Sequence, residues 1–164
     1  MSAKRDQFLE HLRGKRVGIF VDDSNLYHSY QKYGWRIDFG KLKIFLGRFC
    51  EVQFIHYHVA IPHKSDAAFH GSERFLNKIA SYVTIRKKEL KYIPLAGRFA
   101  KKADVDVEIT LDVVRYINGV DLVIIMSGDS DFLELKNFVT KDRDKQILFF
   151  AFEKNMAWEF KQYC

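Results

Sequence analysis

The sequence has little of what secreted, disulfide-linked and membrane proteins need. Its 164 residues hold two cysteines, Cys50 and Cys164, with neither CxxC spacing nor the density of a disulfide scaffold, so we expect two free thiols. No apolar run approaches the roughly 20 residues that span a bilayer. The polar first residues have no apolar core of a signal peptide behind them. These absences predict a cytoplasmic protein with no membrane segment.

The chain also lacks internal repeats, low-complexity tracts and linkers rich in proline, glycine or serine. Apolar residues make up 48% of it and charged residues 29%, as in an ordinary globular domain. A chain of this length can enclose one sizeable core and leaves no room for a second. We therefore expect one domain over residues 1–164. Its net charge of +6 weakly favours a polyanionic partner.

Strand-like and helix-like segments alternate along the chain. Short apolar runs predict strands at 15–21, 52–61, 82–86, 121–126 and 146–152. Helical patterns occupy 4–14, 26–34, 38–49, 64–80, 104–117, 131–140 and a short segment after the last strand. The segment 104–117 also alternates like a strand, and we interpret it as a helix. The alternation predicts an α/β fold, with a mostly parallel central sheet and helices on both faces.

Two of the predicted strands run directly into acids. Asp22 and Asp23 follow the first strand, and Asp129 and Asp131 follow the fourth. Ligands bind outside the carboxyl ends of parallel strands, and there Asp22, Asp129 and Asp131 should converge. Carboxylates brought together repel one another, and Mg²⁺ or Mn²⁺ would relieve that cost. Single acids also cap helices and turns, but capping does not explain why acids gather at one edge of a basic protein.

A third acidic group lies near the start of the helix at 104–117 and contains Asp104, Asp106 and Asp112. On an ideal helix Asp112 lies about 240° around from Asp106, so the two cannot simply face one metal. Paired metals at such an edge could activate water for phosphodiester cleavage. His56 and His58 share a strand face but have no third ligand at usable spacing, so we expect them to be structural.

Three segments, in a fixed order, carry a resemblance to a known family. Residues 20–27 read FVDDSNLY, an apolar strand that runs into Asp-x-Ser-Asn-aliphatic. Residues 101–112 read KKADVDVEITLD, with lysine shortly before Asp-Val and a further aspartate six positions on, and residues 125–132 read IMSGDSDF. Together they resemble the signatures of NYN domains, in the PIN-like nuclease superfamily. The resemblance covers residues 16–152 and looks nearest to the LabA-like bacterial branch.

The resemblance implies a three-layer PIN-like, Rossmann-like fold and RNA cleavage that depends on Mg²⁺ or Mn²⁺. By position, the metal ligands or water activators would be Asp22, Asp106, Asp129 and Asp131. Asn25 would hold the Asp22 loop and contact substrate, and Ser127 would orient a carboxylate or phosphate. Further candidates for contacts with substrate or with the ligands are Asp104, Asp112 and Lys102. The doubled Asp104 and Asp106 leaves open which of the two is the ligand, and the spacing to Asp112 favours Asp106.

The basic segment 87–102 would then contact RNA, single-stranded or in loops. Its candidate phosphate contacts are Lys87, Lys88, Lys91, Arg98 and Lys101. Candidate platforms on which unpaired bases could stack are Tyr27, Trp35, Tyr92 and Phe99. A solvated, irregular loop with ordinary core aromatics would give the same pattern.

Two other function classes compete with a nuclease. A non-catalytic NYN-like module could keep the fold and bind RNA or protein, although the intact set of acids argues against decay. Receiver domains and dehalogenase-like phosphatases also place acids after a strand, but Ser-Gly-Asp-Ser-Asp at the later strand fits them poorly. The chain has no glycine-rich loop of a nucleotide hydrolase or dehydrogenase. The sequence is compatible with a homodimer but does not predict one.

Overall fold

The structure, a computed structural model, describes residues 8–34, 36–95, 98–152 and 156–161. Strands and helices alternate in it. The strands are β1 Arg16–Asp22, β2 Glu51–Ile61, β3 Thr84–Glu89, β4 Lys91–Leu95, β5 Arg98–Lys102, β6 Leu122–Met126 and β7 Gln146–Phe149. The helices are α1 at 8–12, α2 Asp23–Tyr33, α3 Phe39–Leu46, α4 Phe69–Ile79, α5 Asp106–Tyr116, α6 Leu133–Asn137 and α7 Trp158–Lys161. The ambiguous segment 104–117 is therefore helical.

Five parallel strands form the central sheet, in the order β3-β2-β1-β6-β7. This confirms the predicted α/β fold. From β1 the chain adds β2 and β3 on one side, and later β6 and β7 on the other. The strand order therefore reverses between β1 and β6, which is where open α/β sheets bind ligands. Val21 pairs with Met126 in the register, so the two acidic loops begin side by side.

The two faces of the sheet bury separate hydrophobic clusters. Successive strand side chains point to opposite faces, so in β1 Ile19 and Val21 join one cluster while Phe20 joins the other. Helices α1 to α4 pack on the first face, and α5, α6 and α7 on the second. Cys50 is a buried free thiol, and Cys164 lies outside the described residues. Within the described ranges, no helix has both the length and the apolarity to cross a membrane.

Most of the basic segment 87–102 lies in strands, and not in the irregular loop that would give the same sequence pattern. Strand β3 continues to Glu89, and β4 and β5 pair antiparallel as a hairpin in which Tyr92 lies opposite Lys101. Charged residues interrupt the apolar alternation that predicts strands, so the pattern was missed. Helix α4 also begins later than predicted, at Phe69, because Asp66 closes a turn by accepting from the Ala68 amide at 3.0 Å.

Candidate active site

Asp22 ends β1 and is held rigidly at the carboxyl edge of the sheet. It caps α2, since its Oδ1 accepts from the amides of Ser24 at 3.0 Å and Asn25 at 3.3 Å, and from Ser24 Oγ at 2.7 Å. Ser127, directly after β6, donates from its Oγ to Asp22 Oδ2 at 2.9 Å. With both oxygens occupied and only 2% of its surface exposed, the carboxylate has one fixed orientation.

The loop after β6 places two further aspartates at the same edge. The Asp129 amide donates to Ser127 Oγ at 3.3 Å, and Asp129 Oδ1 accepts from the Asp131 amide at 3.1 Å. Asp129 thus caps the single turn Ser130–Phe132. Ser127 joins the two loops, because it contacts Asp22 from one side and Asp129 from the other.

Helix α5 brings a third aspartate to this loop. Asp106, its first residue, offers a carboxylate oxygen that lies within 4.8 Å of oxygens from Asp129 and Asp131, which lie within 4.8 Å of each other. We call these three residues the acidic cluster. It contains three of the four predicted ligands, while Asp22 is buried beside it. The ion pairs found among the described residues do not include a carboxylate of the cluster.

The pKa of Asp106 reflects this crowding. Burial, a hydrogen bond with Asp104, and the charges of Asp22, Asp104 and Asp129 together raise the pKa of Asp106 to about 7. The same hydrogen bond, with Lys102 beside it, lowers the pKa of Asp104 to about 2. Below about pH 7, therefore, Asp106 holds the proton of the pair.

The doubled aspartates occupy different places. Asp104 Oδ1 accepts from the Asp106 amide at 3.3 Å, and its Oδ2 pairs with Lys102 Nζ at 3.2 Å. Asp104 is therefore tied to a cation outside the acidic cluster, whereas Asp106 belongs to it. Lys102 therefore contacts Asp104, which is hydrogen-bonded to the candidate ligand Asp106.

Asp112 lies in a different, buried environment. Its Oδ2 lies 2.7 Å from His56 Nδ1, 3.2 Å from His58 Nε2 and 3.3 Å from Arg86 Nε. We call these four residues the Asp112 cluster. Burial lowers the pKa of His56 and lowers that of His58 to about 4, so both imidazoles are neutral at pH 7 and the Arg86 guanidinium balances the carboxylate. Asp112 thus ties α5 to β2 and β3.

Most of the predicted phosphate-binding lysines already have carboxylate partners. Lysine Nζ lies 3.1 Å from a glutamate oxygen in Lys87–Glu73 and 2.7 Å in Lys88–Glu108, and 2.6 Å from an aspartate oxygen in Lys101–Asp66. Exposed pairs of this kind are weak, so a phosphate could replace the carboxylate at little cost. Lys91 is exposed on β4, and Arg98 begins β5.

The aromatic residues predicted to stack on RNA bases differ in their hydrogen bonds and in their exposure. Tyr92 is anchored, because its hydroxyl accepts from the His63 amide and donates to Asp66, each at 2.9 Å. Phe99 is 67% exposed and Tyr27 49% exposed, so their rings are accessible. Trp35 lies outside the described residues.

Sequence reasoning missed a cavity of about 550 Å³ that opens beside the Asp22 loop. It is lined by residues from α2, β2, α4 and the segment before α5, among them Asp23 and Arg36. Burial raises the pKa of Asp23, which accepts a hydrogen bond from the Tyr57 hydroxyl. The lining residues are scattered along the chain, and no local sequence signal could have found them.

Comparisons with known proteins agree with this geometry. The NYN domain matches residues 16–164. The low amplitude and bright protein LabA of Synechococcus elongatus (strain ATCC 33912 / PCC 7942 / FACHB-805) is 26% identical over 123 residues, which cover 73% of this chain and 65% of that protein's length. The crystal structure of a protein of unknown function from Vibrio parahaemolyticus RIMD 2210633 has a TM-score of 0.69 at 22% identity, over 92% of this chain and 89% of the other. That likeness shows a shared fold.

Proposed function

Because the match to the NYN domain spans residues 16–164, the chain belongs to the NYN domain family, and we propose that it is a ribonuclease that hydrolyses RNA phosphodiester bonds with Mg²⁺ or Mn²⁺. The acidic cluster carries this proposal. Three carboxylates with oxygens within 4.8 Å of one another, at the point where the strand order reverses, repel one another, and a bound cation would relieve that repulsion. The family and the cluster support the same chemistry independently.

The residues present fit a hard divalent cation. Oxygen-only donor sets suit magnesium or manganese, whereas zinc sites use mainly imidazole and thiolate. Burial and the neighbouring carboxylates raise the pKa of Asp106, and a bound cation would lower it. We assign Asp106, Asp129 and Asp131 to hold the cation, with Asp22 as the innermost acid. A bound cation would supply charge stabilisation at the phosphate and a water of lowered pKa.

The protein's own groups would organise the reaction. Asp22, fixed by Ser24 and Ser127, is a rigid acceptor that would orient the attacking water. Ser127 would keep the loops after β1 and β6 in register. Because Asp106 binds a proton near neutral pH, it would have to release that proton before it could act as a ligand. Asp112 has no direct part in this scheme, since its carboxylate is committed to the Asp112 cluster.

RNA would reach the site along the basic hairpin β4–β5. Strand β5 ends at Lys102, directly before the segment that carries Asp104 and Asp106, so a strand bound on the hairpin would lie close to the acidic cluster. Lysines would neutralise phosphates, and the exposed rings of Tyr27 and Phe99 would stack on unpaired bases. We therefore propose single-stranded or loop RNA as the substrate.

The decisive experiment compares Asp129→Asn with Asp142→Asn. Asp142 is exposed and lies before β7, at the amino edge of the sheet, so its variant controls for loss of one negative charge. We expect wild type and Asp142→Asn to cut a labelled single-stranded RNA with Mn²⁺ or Mg²⁺ and to stop when EDTA is added. Asp129→Asn should bind the RNA and leave it intact.

Two results would contradict the proposal. Cleavage that survives equally in Asp129→Asn and in EDTA would come from a contaminating ribonuclease. RNA binding by wild type with no cleavage under any metal would instead favour the non-catalytic module. Both variants should be purified in parallel and should melt at the temperature of wild type or above it.

A further inference from the structure

The cavity beside the Asp22 loop has the size and position of a substrate pocket. Its volume of about 550 Å³ lies within the range of small-molecule sites, about 300–1,000 Å³. Ser24 and Ala103 both line it. Ser24 hydrogen-bonds to Asp22, and Ala103 directly precedes Asp104. The cavity therefore lies beside Asp22 and beside the segment that leads to Asp106 of the acidic cluster.

The cavity wall is largely apolar, with a few polar groups. Its apolar part includes Val59, Ala60, Pro62, Phe75 and Leu90. Apolar walls with few convergent polar groups are typical of sites for small organic molecules. The polar groups that matter most are Asp23 and Arg36, because each is held in place by a buried or aromatic neighbour.

Asp23 offers an anchored acceptor to the cavity. Its Oδ1 accepts from the hydroxyl of Tyr57, whose side chain is fully buried, so the carboxylate is supported from the core. Asp22, not Asp23, caps α2, so capping does not explain Asp23. Among the described residues no other hydrogen bond to Asp23 is found, and the charge of Arg36 acts on its carboxylate.

Arg36 forms a flat platform at the same cavity. Its guanidinium carbon lies 4.9 Å from the centroid of the Phe75 ring and 5.8 Å from that of Tyr30. The residue is exposed, so its guanidinium also reaches solvent. Guanidinium planes and aromatic rings are the groups on which proteins stack unpaired RNA bases.

We propose that this cavity binds one unpaired base of the RNA beside the cleaved phosphate, with Asp23 accepting a hydrogen bond from an amino group of the base and Arg36 stacking on its ring. This inference rests on the proposed function, because the acidic cluster would hold the neighbouring phosphate. Adenine, cytosine and guanine carry an exocyclic amino donor. Uracil has no amino group; its one ring donor, N3–H, lies between two carbonyl oxygens, which a carboxylate repels. The cavity therefore selects amino-bearing bases against uracil.

The test measures binding in EDTA, where metal-dependent cleavage cannot interfere. Fluorescence anisotropy compares a labelled oligouridine with the same oligomer carrying one central cytidine. Wild type should bind the cytidine oligomer about tenfold more tightly, as expected for one hydrogen bond to a charged group. In Asp23→Asn the amide keeps an acceptor for Tyr57 and adds a donor that suits uracil, so the preference should disappear or reverse.

Two further variants make the result specific. Asp142→Asn, at the opposite edge of the sheet, should keep the tenfold preference. Arg36→Ala should weaken binding of both oligomers by a similar factor, because stacking does not distinguish the bases. Equal affinity of wild type for the two oligomers, absence of binding to either, or an unchanged preference in Asp23→Asn would each overturn the inference.

Parallel cleavage assays with Mn²⁺ separate this inference from the proposed function. Metal-dependent cutting without base preference in binding would leave the nuclease standing and remove the base pocket. A preference that depends on Asp23, with no cleavage of any RNA, would keep the pocket and remove the nuclease.

Discussion

Helix α5 carries two aspartates in opposite electrostatic environments. Asp106, in its first turn, faces other acids, and its pKa rises to about 7. Asp112 is only 3% exposed, yet its carboxylate lies 3.3 Å from Arg86 Nε and beside two neutral histidines. Burial acts on both acids, but Asp112 lies beside the Arg86 guanidinium, whereas the acids around Asp106 raise its pKa further than burial alone does.

Helix geometry makes this contrast possible over a short distance. Six residues advance an α-helix by about 9 Å and turn it by about 240°. Asp106 therefore lies at the carboxyl edge of the sheet, while Asp112 lies over β2 and β3. Helix α5 thus connects the acidic cluster, where like charges repel, to the Asp112 cluster, where Arg86 balances the carboxylate. The Asp112 cluster helps to hold the first turn of α5 in position.

The largest expected effect follows from changing Asp112, which anchors α5 to β2 and β3. Asp112→Asn should lower the free energy of unfolding by about 3 kcal/mol, because removing one member of a buried pair leaves the other charge uncompensated. Asp121→Asn is the matched control, since Asp121 pairs with Arg16 at 2.7 Å in an exposed position and should cost less than about 1 kcal/mol. Urea unfolding of the two variants measures the difference. Equal losses would show that Asp112 is not an anchor.

The second prediction concerns activity and applies to the other end of α5. Asp106→Asn should lower the rate of metal-dependent RNA cleavage at least about 100-fold, since changes to residues that merely support metal ligands already cost 10–100-fold. Asp104→Asn should cost less, because Asp104 lies outside the acidic cluster. Single-turnover cleavage at saturating RNA gives both rates. If Asp104→Asn were the more damaging variant, the assignment of the ligand would move to Asp104.

These contrasts show which parts of the structure could be inferred from local sequence. The strand ends at Asp22 and Asp129 were predictable, because apolar runs stop abruptly there and a parallel sheet brings such ends to one edge. The partners of Asp112 were not, since β2 and β3 supply them from more than 25 positions away. Periodicity reports which face of an element is buried but not which distant side chain it meets.

The hairpin and the cavity show the same limit. Alternating charge in residues 87–102 concealed β4 and β5, whose pairing depends on contacts between strands. In the sequence Asp23 is simply the second acid after the first strand, and only its hydrogen bond from Tyr57 gives it an environment separate from that of Asp22. Long-range contacts, which no local pattern encodes, decide both cases.

The third prediction uses pH to distinguish the two acids without RNA. In EDTA the pKa of Asp106 is about 7 in the folded protein, whereas an aspartate in the unfolded chain has a pKa of about 4. Between about pH 4 and pH 7, folding is therefore accompanied by binding of a proton at Asp106. The stabilising effect of that proton is fully present below about pH 4 and is lost as the pH rises through 7. Asp106→Asn should therefore reduce the fall in melting temperature between pH 5 and pH 8.

A bound metal ion should oppose this loss of stability at high pH. Added Mn²⁺ binds the folded state and should restore stability at pH 8 in wild type, but less in Asp106→Asn. The melting temperatures of wild type and Asp106→Asn are measured at pH 5 and at pH 8, each with EDTA or with Mn²⁺. If the melting temperature of wild type in EDTA did not change between pH 5 and pH 8, folding would not raise the pKa of Asp106.

The smallest expected effect extends the contrast from acids to bases. Lys87 is paired with Glu73, whereas among the described residues no ion pair includes Lys91, which is exposed on the hairpin. A lysine that neutralises one phosphate of single-stranded RNA adds about 0.7 to the slope of log affinity against log salt. Lys91→Ala should therefore reduce that slope by about 0.7, and Lys87→Ala by less, because Glu73 competes with the phosphate for the ammonium group. Binding in EDTA from about 50 to 200 mM salt gives both slopes. A larger loss in Lys87→Ala would mean that RNA displaces Glu73 completely and that the exposed pair does not shield its lysine.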